Sequence, residues 1–387
     1  MLTAMHCAIK RARRALMCLL FVCVCHAAGA YAGAGEAVTV TDVAGRRVFV
    51  RIPPARIVLG DGAFAYALPL VRPESPFSGV VAWGDNVRTG DMNLYAQYLR
   101  HYPEMAGIKT FSGKTSESIN SETAISLAPD VIFLNLGAKS SVESSGFMEK
   151  MDLAGIPVIF LDFRSPMSAN TADSMRILGR IFACPERVNA FLQFRQDQIR
   201  SVTEPLQSLR ARPLVMVERA AGFDAGRYMS YGNANLGELV AAAGGENLGS
   251  RFIYGTFGVL HPEQMIACNP DAVLLTGAGW SLSAPSGGWV DLGPGADVNK
   301  GRAQLENLLR RPAYRASDAA RNGKAYALWH GFYDSPYAFI ALQQIAKWLH
   351  PEVFAALDPE ETFRQLHQRF LPVPYQSGYW VALEPAP

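Results

Sequence analysis

The chain has 387 residues, 49% of them hydrophobic and 18% charged, with a formal charge of +2. That length holds two domains of roughly 150 residues each with large cores, and nothing in the composition points to disorder. Residues 1–32 carry Lys10, Arg11, Arg13 and Arg14 and no acid, so the remainder sets 32 basic residues against 34 acidic ones; a net charge near −2 excludes a nucleic-acid or polybasic membrane binder, which needs a basic surface.

Residues 1–32 read as a cleavable secretory signal. A basic stretch ends at Arg14, an apolar run covers 15–25, and Ala28-Gly29-Ala30 and Ala30-Tyr31-Ala32 both fit a small-residue cleavage site. The apolar run is shorter than the roughly 20 residues of a membrane span. The expectation is an exported protein of the periplasm. Cys7, Cys18, Cys23 and Cys25 leave with the signal, and Cys184 and Cys268 remain. An oxidising compartment permits a disulfide between these two, and the sequence leaves their pairing open.

Residues 37–52 alternate in the β manner around a turn at 42–45 and predict a hairpin. Short apolar runs come next, each ending in polar or glycine-rich loops: 56–59 into Gly60-Asp61-Gly62, 79–83 into Gly84-Asp85-Asn86, 131–134 into Asn135-Leu136-Gly137, and 158–161 into Asp162-Phe163-Arg164. Helical stretches at 92–101 and 122–127 lie between them. Strands alternating with helices predict a mainly parallel sheet covered on both faces. A long helical stretch then occupies about 169–209, and Cys184-Pro185 kinks or divides it. The alternation restarts with strands at 214–218, 272–276 and 325–329 and helices at 235–243, 303–309 and 336–349, and a last helix spans 359–370. The predicted fold is α/β, with two Rossmann-like lobes joined by one long α-helix. Residues 38–168 form the first lobe, 169–211 the link, and 212–387 the second lobe with a helical tail.

One motif occurs twice. Ser121-Glu122-Thr123-Ala124-Ile125-Ser126-Leu127-Ala128-Pro129-Asp130 precedes one strand, and Pro262-Glu263-Gln264-Met265-Ile266-Ala267-Cys268-Asn269-Pro270-Asp271 precedes another. The glutamate suits a helix N-terminus, where it meets the positive end of the dipole. The proline stops the helix and sets an extended entry to the strand. Two equivalent carboxylates, one per lobe, suit a symmetric partner that presents arginines.

With these features in order, the chain resembles the periplasmic binding proteins of ABC importers for iron–siderophores, haem and vitamin B12. The opening Thr41-Asp42-Val43-Ala44-Gly45-Arg46, the two Glu…Pro-Asp steps and Gly244-Gly245-Glu246-Asn247 carry the resemblance, which covers nearly all of the chain after the signal. It implies two lobes on a single long helix and a transport role without catalysis. It also implies that Glu122 and Glu263 dock on arginine pockets of a permease dimer. The aromatic segment 93–102 and the tail beyond Leu349 depart from the pattern.

In open α/β sheets ligands bind beyond the carboxyl ends of the strands. That rule predicts a cleft lined by Asp61, Trp83, Asp85, Arg88, Asn135 and Arg164 from the first lobe and Arg219, Tyr231, Trp280, Trp329, His330 and Tyr333 from the second. Aromatic rings and arginines together suit an anionic, partly aromatic chelate such as an iron(III)–siderophore or haem. Cobalamin or an oxyanion such as molybdate fits the same architecture. His330 and Tyr333 are the candidate side-chain ligands to a chelated iron. No permanently bound cofactor is expected, and the protein is expected to act as a monomer. Neither G-x-S-x-G nor G-x-x-x-x-G-K-[ST] occurs, so an exported enzyme is the lesser alternative, beside a ligand sensor that signals to a membrane receptor.

Overall fold

The computed structural model describes residues 36–111, 119–224 and 226–383. The signal segment read from the sequence lies outside them. The chain opens with an antiparallel hairpin of β1 (Ala37–Thr41) and β2 (Arg47–Arg51). Asp42 fixes its turn by accepting from the amides of Ala44 and Arg46 and pairing with the Arg46 guanidinium.

The first lobe is a five-stranded parallel sheet of β3 (Ile57–Leu59), β4 (Val80–Gly84), β5 (Lys109–Phe111), β6 (Val131–Asn135) and β7 (Val158–Leu161), in the order β5-β4-β3-β6-β7. The runs Ile-Val-Leu, Val-Ile-Phe-Leu and Val-Ile-Phe-Leu-Asn are buried throughout, as a sheet covered on both faces requires. The second lobe repeats the design with β8 (Leu214–Glu218), β10 (Glu246–Asn247), β12 (Ala272–Gly277), β13 (Ala325–Trp329) and β14 (Trp380–Ala382), in the order β10-β8-β12-β13-β14. The last strand is antiparallel to β13. A separate hairpin pairs β9 (Tyr228–Tyr231) with β11 (Phe257–Leu260). In both lobes the strand order reverses beside the first strand of the lobe, the place where open α/β sheets leave a crevice.

The helices that frame the site and the junction of the lobes include α1 (Met92–His101), α2 (Ser121–Ser126), α3 (Asn170–Ile181), α4 (Pro185–Thr203), α5 (Pro262–Cys268), α6 (Ala338–Leu349) and α7 (Pro359–Phe370). The long helical stretch of the sequence divides into α3 and α4 at the point where Pro185 has no amide to donate. Ala183 there takes a left-handed φ of 53°. The crossing helix is therefore α4, and α3 stays on the first lobe, where Arg180 reaches the Thr39 carbonyl at 3.0 Å. On α4, Val188, Phe191, Arg195, Ile199 and Val202 are buried at helical spacing. Phe191 and Phe194 pack on Phe339 of α6. Arg187 ties the Leu70 carbonyl of lobe one to the Phe370 carbonyl of the tail, at 2.7 Å each.

The two motif copies fold alike. Ala128 and Asn269 occupy the same place in each and share a left-handed φ, 44° and 41°. The aspartate two residues on then turns back to bind the start of its sheet, Asp130 on the amides of Ala55 and Arg56, Asp271 on the amide of Leu214. The two departures from the family pattern also have a structural role. Segment 93–102 is α1, and the long tail supplies α7 and the edge strand β14. Cys184 and Cys268 are both free thiols.

Candidate functional site

The lobes are joined along one flank by a seam centred on the start of α1. Asp91 caps this helix, accepting from the Leu94 amide at 3.2 Å. Its other oxygen accepts from the indole nitrogen of Trp329 at 3.0 Å and the Tyr66 hydroxyl at 3.3 Å. The Met92 amide donates to the Gly279 carbonyl at 3.0 Å, and Asn93 donates to Asp291 and to the Leu292 carbonyl. Asp91 is deeply buried, and burial pushes its carboxyl up to about 7 against these hydrogen bonds.

Above the seam opens a cleft of about 490 Å³. Lobe one contributes Ala63 and Tyr66 from the segment after β3, Asp85, Asn86, Val87, Thr89 and Gly90 from the segment after β4, and Arg164 from the loop after β7. Lobe two contributes Arg219, Ala220 and Phe223 after β8, Trp280 and Ser283 after β12, and His330, Gly331, Tyr333 and Asp334 after β13. Every lining segment follows the carboxyl end of a strand, as the parallel sheets dictate.

The cleft has one apolar wall and one charged wall. Trp280 stacks edge-on to Phe223 at 5.4 Å and to His330 at 5.2 Å, and the rings of His330 and Tyr333 are 4.7 Å apart. On the other side Arg164 is clamped by two buried carboxylates. Its Nε and Nη2 donate to Asp334 of lobe two at 2.9 Å each, and Nη2 also donates to Asp61 of its own lobe at 2.7 Å. Arg219 has no carboxylate partner among the described residues; its guanidinium lies over the Phe257 ring at 4.9 Å. The imidazole of His330 is held well below its usual pKa, first by burial and then by Arg219 and Arg164, so it is neutral. Its Nδ1 lies 2.9 Å from the Thr276 hydroxyl. That hydroxyl accepts from the Ala220 amide and donates to the Glu218 carbonyl. With the hydroxyl proton on that carbonyl, Nδ1 carries the ring proton and Nε2 keeps its lone pair.

The family model described as periplasmic binding protein matches residues 80–329. The chain belongs to the periplasmic binding protein family. Among solved structures, this binding protein is similar to the TroA-like periplasmic binding protein FepB of Veillonella parvula. They share 24% identity and a TM-score of 0.79 over 90% of this chain and 100% of that one. It is also similar to Haemophilus influenzae MolA bound to molybdate, at 16% identity and a TM-score of 0.66 over 88% and 99% of the two chains. Helicobacter pylori CeuE in a nickel–histidine complex aligns at 17% identity and a TM-score of 0.64 over 87% and 96%. At these identities the likeness is one of fold. A search of the curated proteins found no match.

Of the candidates named from the sequence, the binding protein brings Asp85, Arg164, Arg219, Trp280, His330 and Tyr333 together on the cleft. Asp61 lies behind Arg164 as its buried partner. Four placements need correction. Trp83, in β4, is 1% exposed and packs with Phe77 and Tyr95 inside lobe one. Trp329, the last residue of β13, is fully buried among Tyr66, Phe332, Tyr337 and Tyr379 and serves the seam. Tyr231, at the end of β9, is 1% exposed behind Tyr333. Asn135 is buried and caps the turn after β6 through the Gly137 amide. All four belong to strands; Trp83 and Trp329 are taken up by the layers covering the parallel sheets, Tyr231 by the packing behind Tyr333 and Asn135 by its turn. Arg88 is half-exposed and paired with Asp85, so it reaches the cleft only through that carboxylate. Tyr66, Phe223 and Asp334 were missed. Asp334 stands four residues past His330 in the same loop and falls under the same strand-end rule, whereas Tyr66 and Phe223 carry no signal beyond their loops.

The Arg164 clamp predicts a pH dependence for any anion bound in the cleft. Burial raises the Asp334 carboxyl to about 6 in spite of Arg164, with Asp61 and Asp162 adding to the rise; Tyr66 and Tyr333, the phenols beside it, stay protonated, and His330 stays neutral. A bound anion repels ionised Asp334 and raises that value further, so binding takes up a proton and tightens as pH falls through 6. Titration with a ferric chelate of constant absorption spectrum between pH 7.5 and 5.5, followed by tryptophan fluorescence, is expected to show affinity rising about tenfold, the gain that matches a tenfold stronger hold on the proton in the complex. Asp334→Asn is expected to bind tightly and without that slope.

Proposed function

We propose that this binding protein captures an anionic iron(III) chelate of the siderophore type in the inter-lobe cleft and hands it to an ABC importer in the periplasm. The observation that carries the reading is Arg219: a cation without a carboxylate partner among the described residues, at the mouth of an aromatic cleft. An unpaired cation in a desolvated site favours an anion, and Trp280 and Phe223 offer faces to an aromatic chelator.

His330 and Tyr333 stand ready to complete the coordination of an iron left partly open by its chelator. His330 is neutral, and the tautomer with Nδ1 protonated toward Thr276 offers Nε2 to a metal. The Tyr333 phenol is pushed up by burial and Asp334, so its proton leaves only when a ferric ion takes its place. The chain needs no resident cofactor for this, and iron is cargo.

The test is native mass spectrometry and a visible spectrum of the protein from iron-poor cells. The expected result is an iron-chelate mass and a charge-transfer band that fades in His330→Ala and Tyr333→Phe. A Soret band moves the assignment to haem, and a colourless protein that retains cobalamin or molybdate overturns the siderophore reading.

Glu122 and Glu263 are exposed on the first turns of α2 and α5, and we assign them the docking of the two permease subunits. Glu122→Ala with Glu263→Ala is expected to abolish uptake of the radiolabelled iron chelate and leave its affinity within about twofold. A large loss of affinity in that variant removes the assignment.

A further inference from the structure

The two motif copies are alike beyond their glutamates. Residues 121–130 and 262–271 follow the same sequence of exposed and buried positions and differ only at the seventh and tenth. The fourth position is buried in both, by Ala124 and Met265. The fifth is isoleucine in both, and both isoleucines face outward, Ile125 at 42% and Ile266 at 45% exposure. Each stands three residues after its glutamate, one turn along the same helix face. Neither joins an apolar core.

One exposed isoleucine is ordinary. The same exposed isoleucine at the same place in both lobes, beside an acid that has no ion-pair partner among the described residues, calls for a partner that presents one surface twice. Two copies of a single subunit do so. Charge pairs at an exposed rim add little to affinity and act on register and encounter. Lasting contact needs apolar area at the centre of the patch.

We infer that Ile125 and Ile266 are the apolar anchors of the permease-docking face, each seating in an apolar depression next to the group that meets its glutamate. The inference rests on the docking role given above to Glu122 and Glu263. In this arrangement the glutamates orient the binding protein and the isoleucines hold it.

A photo-crosslinking amino acid placed singly at Glu122, Glu263, Ile125, Ile266 or Val353 of the full chain, expressed in its own cells, tests this. Val353 is exposed beyond the C-terminal end of α6 and serves as the reference. The expected result is capture of the same membrane subunit from Ile125 and Ile266 and none from Val353. Ile125→Asp with Ile266→Asp is expected to cut capture from the Glu122 position at least about tenfold, and the paired valine changes to preserve it, with unchanged thermal unfolding throughout. Capture from the glutamate positions but not from the isoleucines, or insensitivity to the aspartates, overturns the inference and leaves the docking role standing. No capture from any of the four positions overturns both.

Discussion

Arg219→Gln is expected to weaken binding of an anionic ferric catecholate by about a hundredfold. Truncating one member of a desolvated charge pair costs roughly 2–5 kcal/mol, and about 2.7 kcal/mol is a hundredfold in affinity. Arg164, the other cleft arginine, cannot substitute, because Asp61 and Asp334 already claim its charge. Arg219→Lys is expected to recover part of the loss. An ammonium keeps the charge but lacks the planar group that lies over Phe257. Fluorescence titration of Trp280 with the ferric catecholate, and with neutral cobalamin for comparison, measures both variants. An unchanged affinity for the anion in Arg219→Gln, or an equal loss for cobalamin, means that charge is not what the cleft reads.

The second large effect is on stability, one residue away. Glu218 ends β8 and is 1% exposed. Both nitrogens of Arg311 and the Tyr314 hydroxyl bind its carboxylate, and the guanidinium lies over the rings of Tyr228 and Tyr314. Arg311→Met strands the carboxylate, and breaking a buried pair in this way destabilises by about 3–5 kcal/mol. Burial already raises the folded pKa of Glu218, partly offset by Arg311, and removing Arg311 raises it further. A group raised in the folded state favours folding most below its unfolded value, near 4.3, and loses that contribution as pH rises through the folded value. The deficit of Arg311→Met is therefore largest at pH 7.5 and smaller at pH 5. Urea unfolding at the two pH values, with Glu218→Gln/Arg311→Met as the rescue, gives the comparison. A deficit under about 1 kcal/mol, or one independent of pH, means that the pair is not a structural tie.

Most of the frame was legible because local chemistry and fold agree there. The apolar runs with polar ends became parallel strands, and 92–101 and 359–370 are helices with those bounds. The doubled Glu…Pro-Asp step became two equivalent turns. The cleft was legible at several residues that follow strands, as with Arg164, Arg219, Trp280, His330 and Tyr333. It was misread at residues near the ends of strands, three of them large aromatics and the fourth Asn135. Trp83 and Trp329 look like Trp280 in the sequence, but a strand residue in a doubly covered sheet is claimed by the core. Strand β14 was not legible at all. Trp380-Val381-Ala382 is too short to show alternation, and it exists because β13 leaves an open edge for the tail to fill.

The seam at Asp91, Met92 and Asn93 governs how the molecule breathes. A two-lobed clasp sewn along one flank gapes at the other once the Arg164–Asp334 tie lets go, and cargo is expected to enter by that side. The Met92 amide and the Trp329 indole hydrogen should then exchange with heavy water only in the rare events that part the halves entirely. Their exchange rates would count those events directly, and a permease that forces the halves apart should be visible as their sudden loss of protection.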